Sequence, residues 1–203
     1  VVEPGLWDMI MRLRSRGISD ASLMGALESA PRSRFVTDVS RGRAFKEVEL
    51  PLPCGQIMLT PLLSAQILQI AELAPETKVL VIGAGSGYVT ALAAQMSRRV
   101  YLVERYQEVL RFSEGNFVRA GIQNVTARWG DGRYGWKANA PFDRIIVTAS
   151  LADAPKGLLA QLAPGGRLVG VIEEQLSWHD GTTQHGVFEA HIPALVPGKS
   201  AAI

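Results

Sequence analysis

The chain has 203 residues, 47% of them hydrophobic and 20% charged, with 21 basic and 19 acidic side chains and a formal net charge of +2. That length and composition suffice to bury one core of ordinary size, which excludes wholesale disorder, a staple-dependent miniprotein and a pair of large domains. Charge this close to balance gives no reason to expect nucleic acid, and no apolar run reaches the roughly 18 residues of a membrane span, so neither is an expected partner.

A single cysteine, Cys54, can form no internal disulfide and cannot by itself supply the ligands of a structural zinc. The start, Val1 to Gly5, lacks the basic and apolar blocks of a signal peptide, and a cytoplasmic location is expected.

In chain order, Leu6, Met9, Ile10 and Leu13 recur at helical spacing, and Ser19-Asp20 offers a cap before Leu23 and Leu27, which predicts two short helices. The loop that follows carries Arg32, Arg34, Arg41 and Arg43, read as solvated surface or as contacts to an acidic ligand, and closes on Pro51, Pro53 and Gly55. Thr60-Pro61 supplies an N-cap and a preset first helical residue ahead of an apolar face through Leu63, Ile67, Ile70 and Leu73. Strand and helix then alternate. Strands are predicted at 78–82, 100–104, 125–129, 145–148 and 167–172, and helices through Val89 to Met96, over 107–120 up to a left-handed cap at Gly121, and over 155–162. This alternation predicts an α/β fold, a doubly wound and mainly parallel sheet with helices on both faces. After Glu173, Asp180-Gly181 marks a turn and 187–192 a strand with no helix before it, which predicts an antiparallel hairpin at the sheet edge. Residues 1–59 are expected to form a helical cap and substrate-side loop, and 60–203 the ligand-binding α/β part, packed as one compact unit.

Open α/β sheets place their ligand crevice at the carboxyl ends of the strands. There the first predicted strand runs into Gly83-Ala84-Gly85-Ser86-Gly87-Tyr88, small residues that let the backbone approach a ligand just before a helix presents free N–H groups. Tyr88 stands where a dinucleotide fingerprint has its third glycine, which argues against NAD. The second strand ends in Glu104-Arg105, 21 residues after Gly83, where two carboxylate oxygens match the vicinal diol of a ribose. The third is followed by Gly130-Asp131-Gly132, whose exposed acceptor suits an adenine amino group.

Together these features resemble a class I methyltransferase that uses S-adenosylmethionine. The words Arg14 to Asp20, Pro31-Arg32-Ser33-Arg34-Phe35-Val36, Leu50-Pro51, Gly55-Gln56, the glycine loop, Gly130-Asp131-Gly132, Ala140-Pro141-Phe142-Asp143 and Gly165 to Val169 narrow the resemblance to the protein-L-isoaspartate O-methyltransferase family, from about Leu6 to Val171. The resemblance implies methyl transfer from S-adenosylmethionine, leaving S-adenosylhomocysteine, to the carboxylate of an isoaspartyl residue in a protein or peptide, as the start of a repair, with no metal. It implies cofactor contacts from Gly83, Ala84, Gly85, Ser86, Gly87, Tyr88, Glu104, Arg105, Asp131 and Gly132. Two positions depart from the family. Its Gly-Gln-Thr-Ile-Ser word reads Gly55-Gln56-Ile57-Met58-Leu59, so Leu59 stands at the active-site serine and adjacent Thr60 is the candidate substitute. An acidic residue of its glycine motif is Val81 here. Both changes trade polarity for hydrophobicity, which leaves two alternatives to isoaspartyl repair: a different protein or peptide carboxylate, or a catalytically silent binding module.

Bland roles are expected elsewhere. His179, His185 and His191 are read as surface residues, Trp136 as packing beneath the Asp131 loop, and Cys54 as structural, while Ser150 is a candidate acceptor contact.

Overall fold

The structure, a computed structural model, describes residues 3–200. Helix α1 (Leu6–Ser15) buries Leu6, Met9, Ile10 and Leu13 on one face, as their spacing requires. Helix α2 (Ala21–Ser29) starts on Asp20, whose carboxylate accepts from Leu23 N–H at 2.8 Å. Two 3-10 turns, 32–35 and 38–43, lead to a small antiparallel pair, β1 (Leu50–Pro51) and β2 (Ile57–Met58). Helix α3 (Pro61–Ala71) begins on the Thr60 cap, whose hydroxyl accepts from Leu63 N–H.

The α/β part follows as β3 (Lys78–Ile82), α4 (Tyr88–Met96), β4 (Arg99–Glu104), α5 (Gln107–Ala120), β5 (Val125–Trp129), β6 (Phe142–Leu151), α6 (Lys156–Leu159), β7 (Leu162–Ile172), β8 (Gln175–His179) and β9 (Gln184–Glu189). The sheet runs β5-β4-β3-β6-β7-β8-β9; its first five strands are parallel, β8 pairs antiparallel with β7, and β9 antiparallel with β8. The order reverses beside central β3, and this is where an open sheet parts its loops into a crevice.

Period-two alternation divides the core. Val79 and Val81 of β3 join Ile146, Val169 and Val171 in the larger cluster with α1 to α5, while Leu80 and Ile82 join Ile145, Val147 and Leu168 on the opposite face. The larger cluster draws on residues before and after position 59, from Leu6 to Ala190. On the second face the expected helical cover is reduced to 3-10 turns at 132–134 and 137–139, the single turn of α6, and Leu195. Closely spaced glycines and prolines between 130 and 155 leave no room for a longer helix there.

After β7 the expected antiparallel hairpin is present, with its second strand at 184–189 instead of 187–192. Asp180 shapes the turn by accepting from Thr182 and Thr183 N–H. Residues 190–200 then cross back over the carboxyl edge of the sheet, bridging Ala194 to Ser150 and Ser200 to Tyr106. One of the three histidines is not the surface residue expected: His179 is 6% exposed with Nδ1 accepting from Gly181 N–H, whereas His185 stacks on Trp178 at 3.9 Å with its side chain still 42% exposed.

Candidate functional site

At the end of β3 the chain turns on three glycines in the left-handed region, Gly83 (φ 93°), Gly85 (φ 49°) and Gly87 (φ 83°). Side chains are excluded at two of them by contact as well as conformation: a Cβ would come within 2.5 Å of Thr148 Oγ1 at Gly83 and within 2.7 Å of the Phe117 ring at Gly87. The loop therefore faces the cleft with backbone. Tyr88 opens α4 fully buried, with its ring against Phe35 at 5.5 Å and its hydroxyl shielded without a hydrogen-bond partner. Burial pushes that phenol up from its ordinary pKa, against a smaller opposing pull from Arg32.

Glu104, at the end of β4, is 6% exposed, with one carboxylate oxygen accepting from Ala84 N–H and the other from Tyr106 N–H, each at 2.8 Å. A carboxylate has about four acceptor positions, so Glu104 keeps two for a ligand while its orientation is fixed by two backbone donors. The glycine loop and Glu104 bound a cleft of about 880 Å³, open mouth included. Its other walls are Gln56 to Leu59, Ser64 of α3, Arg105-Tyr106, Gly132, Thr148-Ala149 and the returning segment Pro193 to Val196.

Most candidate residues assemble here: Leu59, Gly83 to Ser86, Tyr88, Glu104, Arg105 and Gly132 line one space. Gly87 stands behind it as the N-cap of α4. Thr60 is not on the wall; its hydroxyl serves the cap of α3, and the hydroxyl of Ser64, which donates to Thr60 O at 2.8 Å, is what α3 presents to the cleft. Asp131 turns its carboxylate to Arg133 (2.9 Å) and to Gly198 N–H (2.7 Å), so the crossing tail meets the acceptor that the sequence assigned to adenine. Burial raises the Asp131 pKa, but the hydrogen bonds from Arg133 and Gly198 outweigh it and hold the carboxyl below its ordinary value. Arg105 donates from Nε to Gly198 O at 3.1 Å. Val81 is fully buried in the larger core, off the cleft wall.

Leu59 is 6% exposed, and its carbonyl accepts from Arg32 Nη2 at 2.8 Å. Arg32 itself is fully buried, not the solvated residue expected, and also donates to Ala44 O and Val48 O. Burial lowers its pKa to about 10, with Tyr88 and Glu47 pulling the other way. Its fork thus pins three loop carbonyls behind the apolar wall Ile57-Met58-Leu59.

Ser150 carries no cleft contact; its backbone pairs with the tail through Pro193 O and Leu195 N–H. Trp136 packs on Tyr101 and Arg128 in the second-face cluster. The Cys54 thiol lies 3.6 Å from Glu108 Oε2 and is raised by burial and by that carboxylate. Sequence reasoning missed Pro193 to Val196 as cleft wall; no periodicity marks that stretch, and its place follows from main-chain pairing with Ser150. Among the described residues, no three His, Cys, Asp or Glu side chains gather as a metal would require, and no helix is long and apolar enough to cross a membrane.

The family described as protein-L-isoaspartate(D-aspartate) O-methyltransferase matches residues 7–183. The protein-L-isoaspartate O-methyltransferase of Maricaulis maris is 38% identical over 209 residues, covering 99% of this chain and 98% of its own. That of Caulobacter sp. strain K31 is 41% identical over 170 residues, covering 84% and 78%. Two solved structures share the fold. One, a protein-L-isoaspartate O-methyltransferase, superposes with a TM-score of 0.82 at 24% identity, over 93% of this chain and 65% of that one. The other, a Plasmodium falciparum chain described as a beta-aspartate methyltransferase in complex with S-adenosyl-L-homocysteine, gives 0.81 at 23% identity, over 93% and 97%.

Proposed function

The chain belongs to the protein-L-isoaspartate(D-aspartate) O-methyltransferase family, and we propose that the cleft at the carboxyl edge of its sheet is where it binds S-adenosylmethionine and presents the isoaspartyl carboxylate. It is an S-adenosylmethionine-dependent methyltransferase acting on isoaspartyl residues of proteins. The observation that carries the site is the meeting of the glycine loop with Glu104, a wall of bare backbone beside an oriented carboxylate with two acceptor positions to spare. These residues fit an adenosine ligand: Glu104 would take the ribose hydroxyls, Gly83 to Ser86 would lie along the methionine part, and Arg105 and Gly132 would border the base.

S-adenosylmethionine supplies a methyl group activated by its sulfonium. An isoaspartyl carboxyl, with an ordinary pKa near 4, is already an anion at neutral pH. No side chain is therefore asked to remove a proton, and we assign no metal to the reaction. What this chain does is bind, align and exclude water. Ile57, Met58 and Leu59 form a dry wall whose position is fixed by Arg32 holding the Leu59 carbonyl. Pro193 to Val196 close the facing side, fastened to Ser150 at both Pro193 O and Leu195 N–H at 2.8 Å. With Leu59 in the wall, Gln56, Ser64 and Thr148 are polar side chains that line the cleft on the acceptor side.

The test is transfer of a labelled methyl group from S-adenosylmethionine to two peptides that differ only in an isoaspartyl or a normal aspartyl residue. Ester formation confined to the isoaspartyl peptide is expected. No ester on either peptide from protein that binds S-adenosylhomocysteine in a calorimeter overturns the reading and leaves a binding module.

A further inference from the structure

A groove runs between the 3-10 turns 32–35 and 38–43 and helix α5. Arg34, Arg41, Arg111 and Arg119 line it, with Glu3 and Asp38 as its only acids. Four of the 21 basic and two of the 19 acidic residues are here, so the groove holds the whole formal excess of +2 and the rest of the chain is balanced. Little inside the molecule answers these charges. Arg41 pairs with Asp38 at 2.9 Å, but with both side chains mostly exposed such a pair contributes little. Arg119 leans on the neutral Asn116 amide oxygen, and among the described residues Arg34 and Arg111 make no ion pair.

The groove's position relates it to the cleft. Tyr106, the N-cap of α5, lines the cleft, and Arg111 and Arg119 follow on the same helix. At about 1.5 Å of rise per residue they stand roughly 7 and 20 Å along the helix from Tyr106, beside the end of the cleft that Glu104 and Arg105 border.

We propose that the groove binds an acidic stretch of the protein substrate that flanks the isoaspartyl residue in the cleft. The proposal rests on the methyltransferase reading for what the cleft holds. A peptide fits better than a nucleic acid: the excess is small, carboxylates share the groove, and Phe112 is the only aromatic residue on its wall, so successive bases have no stacking platform.

Three isoaspartyl peptides, identical except for Glu, Gln or Lys at the third to sixth positions on both sides, are compared as substrates. The Glu peptide is expected to show kcat/KM about tenfold above the Gln peptide at low ionic strength, carried by KM and lost at about 1 M salt, where charges are screened within about 3 Å. In the double variant Arg111→Glu, Arg119→Glu, at two exposed positions, the order inverts to favour the Lys peptide while the Gln peptide keeps its rate. Equal kcat/KM for Glu and Gln peptides in the parent, or an unchanged preference in the variant, overturns the proposal. Fluorescence anisotropy with a labelled Glu-rich peptide lacking isoaspartate tests the groove apart from catalysis. Saturable binding lost in the double variant supports it. No binding refutes it, as does binding of a single-stranded RNA of equal charge in place of the peptide. If no peptide is methylated although cofactor binds, the methyltransferase reading falls, and the anisotropy result alone decides the groove.

Discussion

Glu104→Ala removes the carboxylate on which the cofactor assignment turns. In the parent that group accepts from Ala84 and Tyr106 N–H at 2.8 Å and is almost wholly buried. A hydrogen bond to a charged group contributes about 1.5 to 3 kcal/mol, so loss of the ribose contact should weaken S-adenosylhomocysteine binding about 10- to 150-fold. The same substitution strips two backbone donors of their acceptor. Because the cleft admits water, the cost to folding should stay near 1 to 3 kcal/mol, or about 2 to 12 °C in Tm for a chain of this length. Glu104→Gln keeps the volume and one acceptor oxygen and should fall between parent and alanine in both measurements. Calorimetry with S-adenosylhomocysteine gives the affinity, and thermal melts with and without ligand give the stability, since a tight ligand raises Tm in proportion to the logarithm of its concentration over Kd. A folded Glu104→Ala protein with the parent's affinity would refute the assignment and place the ligand elsewhere.

Leu59→Ser should raise isoaspartyl methylation by about five- to thirtyfold per folded molecule, the worth of one hydrogen bond of about 1 to 2 kcal/mol, while lowering Tm because a buried leucine is truncated; an unchanged rate in the folded fraction means that the leucine is no defect. Tyr88→Phe deletes a shielded hydroxyl that has no partner and should leave Tm unchanged or raise it by a few degrees; a clear drop would reveal a partner for that hydroxyl. The lowered pKa of Asp131 makes the tail contact acid-sensitive: its folded value lies below the unfolded one, so its stabilisation is complete above the ordinary carboxylate range and is lost as pH falls through the folded value. Hydrogen-exchange protection of Gly198 N–H should therefore hold from neutral pH down to about 5 and weaken below about 4, and Asp131→Asn should flatten that response. A parent protection profile equally flat to low pH would show that Asp131 does not hold the tail.

The residues whose roles could be read from the chain alone are those with a cause within a few positions. Asp20 and Thr60 cap because their side chains reach N–H groups three residues on, and Gly121 closes α5 because it takes a left-handed conformation without a Cβ penalty. The central strands follow from short β-rich runs between helical periods, and the cleft follows from them, since a parallel order with a reversal at β3 parts the loops after β3 and β4. Gly83 to Tyr88, Glu104 and Gly132 thus fall at one crevice by chain order alone. Arg32 was not legible, because its burial depends on carbonyls of residues 44, 48 and 59, which converge only when the cap folds onto α3. The same holds for Asp131, whose partner Gly198 lies 67 residues away, and for the tail that walls the cleft through pairing with Ser150. Caps and periodicity are set by the geometry of one or two turns of chain, whereas a buried guanidinium or a crossing segment is stable only where distant backbone groups meet, and the tertiary structure alone decides where that is.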